Sequence, residues 1–207
     1  MTVSHRNPRN SLARRFGRLI SWAALTSSLY AAGPLVVLIG PPGSGKSTQA
    51  EILKKERGMA IISADDLIAR NQSKFQRFKN PSIQGIEPRL DAALNGLVEE
   101  ALSNTDLSKG VVIDGYPAAK AQGDHLAKLR QNLELSKAVV IHLMVPDEVV
   151  RKRLAKQKRP DLEQQLKDYH RELDFAKEYF PEADIRVVDG TKKASAVAKE
   201  IRKLLKN

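Results

Sequence analysis

Residues Gly40-Pro41-Pro42-Gly43-Ser44-Gly45-Lys46-Ser47-Thr48 constrain this chain more than any other stretch. They follow the apolar run Leu35-Val36-Val37-Leu38-Ile39 and precede a segment, Lys46 to Arg57, with helical character. The spacing G-x-x-x-x-G-K-[ST] between a strand and a helix is the phosphate-binding P-loop, or Walker A, pattern. Its residue types follow from the chemistry of phosphate binding. Glycines let the backbone curl so that successive N–H groups face phosphate oxygens, and the helix start adds the positive end of its dipole. In such a loop Gly43, Ser44, Gly45, Lys46, Ser47 and Thr48 would hold the phosphates, with Lys46 reaching the β- and γ-phosphates and the Ser47 hydroxyl on Mg²⁺. The pattern implies a nucleoside triphosphate site.

The rest of the chain supplies the frame such a loop needs. Short apolar runs at Leu35–Ile39, Met59–Ile62, Val111–Ile113, Ala138–Val145 and Ile185–Val188 predict five strands. Between them lie segments with apolar residues at helical steps. Leu90, Leu94, Leu97, Val98, Ala101 and Leu102 mark one within Pro88–Leu102. Leu162, Leu166, Tyr169 and Leu173 mark a second, and Val197, Ile201 and Leu204 a third. Strands apolar throughout, alternating with helices, predict an α/β fold with a parallel sheet covered on both faces. At 207 residues one such domain, with or without a tail, accounts for the chain.

Val111-Val112-Ile113-Asp114 adds a second piece of chemistry, an apolar strand that ends in aspartate. P-loop enzymes hold Mg²⁺ from that position, and ligands of parallel sheets sit at the carboxyl ends of the strands. Asp114 and Ser47 are therefore the expected metal-side residues. The absence of cysteine excludes disulfides, thiolate metal sites and cysteine nucleophiles. The net charge of +11 invites a nucleic-acid reading, but aromatics make up 5% and no basic stripe interleaves with them. No nucleic-acid partner is expected.

Several further segments give the chain a family likeness. Gly40–Gln49, including the trailing Thr48-Gln49, resembles the P-loop of adenylate kinases. Ile62-Ser63-Ala64-Asp65-Asp66-Leu67 resembles that family's I-S-T-G-D-L segment, which opens the monophosphate-binding helices. Asp114-Gly115-Tyr116-Pro117 with Gln122 resembles D-G-F-P-R-x-x-x-Q, and Val145-Pro146-Asp147-Glu148 followed by Arg153-Leu154 resembles the V-P-D-E lead into the lid. Asp189-Gly190-Thr191 resembles the D-G-T turn at the nucleotide base. Together, in order, they identify the chain as similar to the adenylate kinases and other nucleoside monophosphate kinases.

The resemblance implies a three-layer P-loop kinase fold with a five-stranded parallel sheet, a small helical monophosphate-binding insertion and a short lid. It places a kinase domain over 34–207, the insertion at about 64–103 and the lid at about 154–161. Five residues separate Arg153 from Arg159, too few for a zinc-bearing lid. The implied reaction moves the γ-phosphoryl of Mg-ATP to a nucleoside monophosphate, with AMP the first choice. Arg153 would lie against the adenine, Lys192 would follow the turn over the base, and Arg159, with Arg153 or Lys158, would act catalytically beside Lys46 by closing on the transferring group. Ser63, Asp66, Arg70 and Gln122 would serve the acceptor, Gln122 by reading the adenine edge. The cofactors implied are ATP and Mg²⁺, and the implied state is a monomer acting on small molecules.

The acceptor side departs from the family. Ala64 stands for its threonine, and Ala69, Ala118 and Gln165 stand for three of its arginines. An arginine fork grips phosphate through two hydrogen bonds that alanine cannot replace. Nearby cations, Arg70, Lys74, Arg77, Arg89, Lys120 and Lys167, could substitute. Otherwise the acceptor is another small molecule, with Asp65 or Asp66 as base, or the chain binds nucleotide as a regulator without transfer. A phosphate acceptor is already ionised, so His125, His142 and His170 are given no catalytic role; His142, in an apolar strand, is expected in or near the core.

Residues 1–33 stand apart. Five arginines and no acid fall there, and Leu19–Ala32 is mostly apolar or small, which outlines a signal-like segment. Arg14-Arg15-Phe16 resembles a twin-arginine signal, although Tyr30 or Leu29 would occupy a cleavage position that prefers small side chains. The run is short for a bilayer span. ATP chemistry favours a cytoplasmic location; export, or a membrane tether through residues 1–32, is the alternative.

Overall fold

The computed structural model describes residues 32–76, 86–135, 138–157, 159–181 and 184–206. Five strands form one sheet: β1 (Leu35–Ile39), β2 (Ala60–Ser63), β3 (Val111–Asp114), β4 (Ala138–Met144) and β5 (Ile185–Asp189). Their order is β2-β3-β1-β4-β5, and every pairing is parallel. The five strand predictions hold to within a residue or two. β2 starts and ends one residue late because Met59 packs in the core behind Gly58, while Ser63 pairs with Asp114 and then caps the next helix. β4 ends at Met144, one residue short of Val145.

Helices cover both faces because β1, β3 and β4 are apolar in both directions. Leu35, Val37, Ile39, Val111, Ile113 and Val140 point to one face. They meet α4 (Ile86–Ser103), α5 (Lys120–Asn132) and α7 (Leu162–Tyr179) through residues such as Val98, Leu126 and Tyr169. Val36, Leu38, Val112, Ile141 and Leu143 point to the other, against α1 (Lys46–Arg57) and α8 (Ala194–Leu204) through Leu53 and Ile201. A strand buried on both faces has no solvated side to carry polar residues, which is why the runs are continuous rather than alternating.

The remaining helices gather at the carboxyl edge of the sheet. α2 (Ala64–Arg70) and α3 (Gln72–Gln76) follow β2, and α6 (Asp147–Leu154) with a 3-10 turn (Ala155–Gln157) follows β4. Val145, Val150, Leu154 and Leu166 form a small separate cluster that joins α6 to α7. α4 begins at Ile86, two residues before the expected Pro88. Residues 1–31 of the signal-like segment, with Arg77 and Lys158, lie outside the described residues. Among the described residues no helix is long and apolar enough to cross a membrane.

Candidate nucleotide site

The parallel register brings Ile39, Ser63, Asp114, Met144 and Asp189 to one edge of the sheet, and the P-loop leaves β1 there. Gly43 and Gly45 adopt φ of 71° and 99°, a region that L side chains rarely enter. The second of these is the N-cap of α1. It provides no side-chain cap, and the first turn holds no acid, so the positive helix end is left to an anion. The Lys46 ammonium donates to the Gly40 carbonyl at 2.6 Å, holding it over the loop.

Two buried polar atoms in this region have no hydrogen-bond partner among the described residues: Ser44 Oγ and Gln49 Oε1. An unmet buried polar atom costs about 1–3 kcal/mol unless something satisfies it. Both residues line a cavity of about 220 Å³, together with Gly45, Thr48, Arg153 and Lys192. The structure thus brings the donor-side residues read from the sequence to one place. The unpartnered Ser44 hydroxyl beside an uncapped helix start suits a phosphate oxygen, whereas Gln49 Oε1, itself an acceptor, would need a donor.

Arg153 ties this cavity together. Its guanidinium donates to Gly43 O at 3.1 Å, Gly190 O at 2.9 Å and Thr191 O at 3.2 Å, joining α6 to the P-loop and to the turn after β5. That turn is fixed by Asp189, whose carboxylate accepts from the Thr191 hydroxyl and N–H at 2.6 and 2.9 Å. These bonds, the hydroxyl's foremost, hold the Asp189 carboxyl below its ordinary range. Lys192 pairs with Glu200 at 3.4 Å on the rim.

On the metal side, the Ser47 hydroxyl donates to Asp114 Oδ2 at 3.2 Å. Burial pushes the Asp114 carboxyl above its ordinary range; Lys46 and the Ser47 bond oppose the rise, and Asp65 and Asp66 add to it. Two hard oxygen donors side by side suit Mg²⁺, which draws most of its other ligands from water and substrate phosphates. No group of three potential side-chain ligands forms among the described residues.

The acceptor-side residues are more scattered. The Ser63 hydroxyl caps α2 by accepting from the Asp66 N–H at 3.3 Å, while Arg70 sits exposed at the far end of that helix. Gln122 is buried and turned into the protein: its amide accepts from the Ala118 N–H at 2.9 Å and donates to Asp91 at 2.7 Å. Lys120 pairs with Asp124 at 2.7 Å in solvent. Arg159 donates weakly to Gln165 at 3.4 Å, and Gln165 in turn donates to Asp161 at 2.7 Å. The lid arginine is therefore held on α7, not against Lys46. His142 is in the core as expected, bonded to the Tyr169 hydroxyl at 2.8 Å, with its pKa lowered by burial and then by Lys177.

One residue of the site escapes the sequence motifs. Glu172, on α7, is within electrostatic reach of Lys46, Asp114 and Asp65. Burial pushes its carboxyl up to about 7; Lys46 opposes that rise and the two aspartates reinforce it. Its only signal in the sequence is positional. Glu172 lies three residues after Tyr169 and four before Ala176, both buried, so a carboxylate interrupts the inward face of the helix.

Comparison with known proteins agrees with this geometry. A family profile described as adenylate kinase matches residues 38–185. The chain is 32% identical over 168 residues to an adenylate kinase of Mycolicibacterium vanbaalenii, covering 74% of this chain and 89% of that one. It is 26% identical over 189 residues to an adenylate kinase of Mesorhizobium japonicum, covering 82% and 96%. An adenylate kinase of Micrococcus luteus is 31% identical over 175 residues, covering 75% and 82%. The chain belongs to the adenylate kinase family.

Proposed function

We propose that this protein transfers the γ-phosphoryl group of Mg-ATP to a nucleoside monophosphate, with AMP as the preferred acceptor. The observation that carries the reading is the donor cradle: Lys46 over the P-loop, the uncapped start of α1, and the cavity that Ser44, Gly45, Thr48, Arg153 and Lys192 line. The working unit is residues 34–207, with 64–103 supplying the acceptor helices and 154–161 the short lid.

Phosphoryl transfer asks a protein mainly for position and charge. Gly43, Ser44, Gly45 and Thr48 would seat the triphosphate, and Lys46 would neutralise charge on its outer phosphates. Arg153 and Lys192 would flank the adenine. Ser47 and Asp114 would hold Mg²⁺, whose contribution when bound is further neutralisation of the phosphates. Ser63, Asp66, Arg70 and Gln122 would serve the monophosphate, and Arg159 would leave Gln165 for the transferring group as the lid closes and water is excluded.

A coupled assay for ADP with Mg-ATP and each of AMP, CMP, UMP and GMP tests the reading. AMP-dependent ADP formation exceeding that with the other three is expected. Folded protein that binds ATP yet forms no monophosphate-dependent ADP would contradict it.

A further inference from the structure

The donor cavity is lined from two directions. Gly43, Ser44, Gly45 and Thr48 come from the P-loop and the start of α1, and Gly190, Ala194 and Val197 come from the turn after β5 and the start of α8. Gln49 links the two. It follows Thr48 on α1, lines the same cavity and is only 2% exposed. Its amide has a set orientation, because Nε2 donates to the Ala194 carbonyl at 3.1 Å. Reversing the amide would place its oxygen against that carbonyl oxygen, two acceptors with no proton between them. The remaining half of the amide, Oε1, is buried and has no hydrogen-bond partner among the described residues. Chemistry limits what can relieve a buried acceptor in this state to an N–H or O–H donor. The phosphate chain offers only oxygens. The base of a donor nucleotide can offer an amine.

We infer that Gln49 sets the base specificity of the donor site, its Oε1 accepting a hydrogen bond from the exocyclic 6-amino group of adenine. The inference rests on the donor half of the reading above and adds to it the residue that selects the base. A 6-oxo purine presents a carbonyl oxygen where adenine presents its amine. Two acceptors then face each other in a buried place, and Oε1 stays unpaired. A site built to pair with an N–H discriminates in this way against an analogue that lacks it. The bond to Ala194 is what makes the selection one-sided: with Nε2 engaged, the amide cannot turn over to donate to the 6-oxo group. Gln49 is thus a specificity-determining residue, and it takes no part in moving the phosphoryl group.

Calorimetric titration of wild type and Gln49→Met with three Mg-bound triphosphates tests the inference: ATP, ITP, which carries the 6-oxo group, and purine riboside triphosphate, which carries hydrogen at that position. Wild type is expected to bind ATP at least about tenfold more tightly than either analogue. Gln49→Met keeps the length of the side chain and removes the amide, so the three affinities should fall within about twofold of one another. A glutamine that only ties α1 to α8, or that accepts from the ribose hydroxyls, would lower all three affinities by the same factor and leave their ratios intact, and that result overturns the inference. So does wild-type protein that binds the three alike, a comparison that needs no variant. Discrimination by wild type that Gln49→Met loses, in protein that forms no AMP-dependent ADP, supports the inference and sinks the transfer reading, so the two fail separately.

Discussion

The two halves of this site are built from different materials. At the donor half, one loop and one helix start supply a backbone cradle, and Arg153 locks it to the turn after β5 through three carbonyl bonds. Little there depends on long side chains finding each other. At the acceptor half, recognition would depend on side chains from α2, α3, α5 and α7, and three of those present are occupied elsewhere. Gln122 holds Asp91 and Ala118, Lys120 holds Asp124, and Arg159 holds Gln165. A backbone site changes only when the chain path changes, whereas a side-chain site can be lost or re-aimed one residue at a time. The molecule therefore pairs a backbone-built candidate donor cradle with a candidate acceptor half whose side chains are turned to other partners.

Substitutions can break each half in turn. Lys46→Ala should have the largest effect, lowering kcat/KM by about 1,000-fold or more with thermal melting nearly unchanged, because the ammonium bonds to loop carbonyls and supports no core packing. Full activity in this variant would break the donor half of the comparison. Asp114→Asn should follow, at about 100-fold, with a higher Mg²⁺ requirement read from a metal titration. The pH dependence has a definite sign: the Asp114 carboxyl is raised above its ordinary range, so at limiting Mg²⁺ the wild-type rate should fall as pH drops through that range and protonation removes a ligand.

Restoring charge tests the other half. Ala69 and Ala118 are exposed, so Ala69→Arg and Ala118→Arg can be made without crowding the core. Together they should lower KM for AMP by about tenfold, the worth of roughly 1.4 kcal/mol of new phosphate contact. KM for ATP should not move. The smallest effect concerns stability. With its carboxyl pushed up to about 7, folded Glu172 keeps a proton that the unfolded chain has already lost, so its contribution declines as pH rises from the ordinary carboxyl range to about 7. The melting temperature of Glu172→Gln relative to wild type should therefore rise between pH 5 and pH 8, by a few degrees if about 1 kcal/mol is recovered.

Much of this was legible in the residues. Strands apolar on both faces declare a covered parallel sheet, and a P-loop between strand and helix fixes where its carboxyl edge must be. Asp114 could be placed because it ends an apolar run downstream of the P-loop, and its strand pairs with both β1 and β2 at that edge. What was not legible depends on which distant side chains meet. Nothing near Gln122 in the sequence announces Asp91 as its partner, and nothing near Arg159 says that Gln165 will hold it. Glu172 reads as one more charged residue on an amphipathic helix until α7 is laid against the sheet, where it is felt by Lys46 and Asp114. Local pattern specifies backbone sites well and side-chain constellations poorly, which is the same division that separates the two halves of the pocket.

Calorimetric titration of one preparation with Mg-ATP and then with AMP puts the asymmetry to its most direct test. The account predicts that Mg-ATP binds at least about ten times more tightly than AMP, and that Ala69→Arg with Ala118→Arg narrows the gap from the AMP side alone. AMP binding as tight as Mg-ATP in the wild type, unchanged by the added arginines, would contradict it.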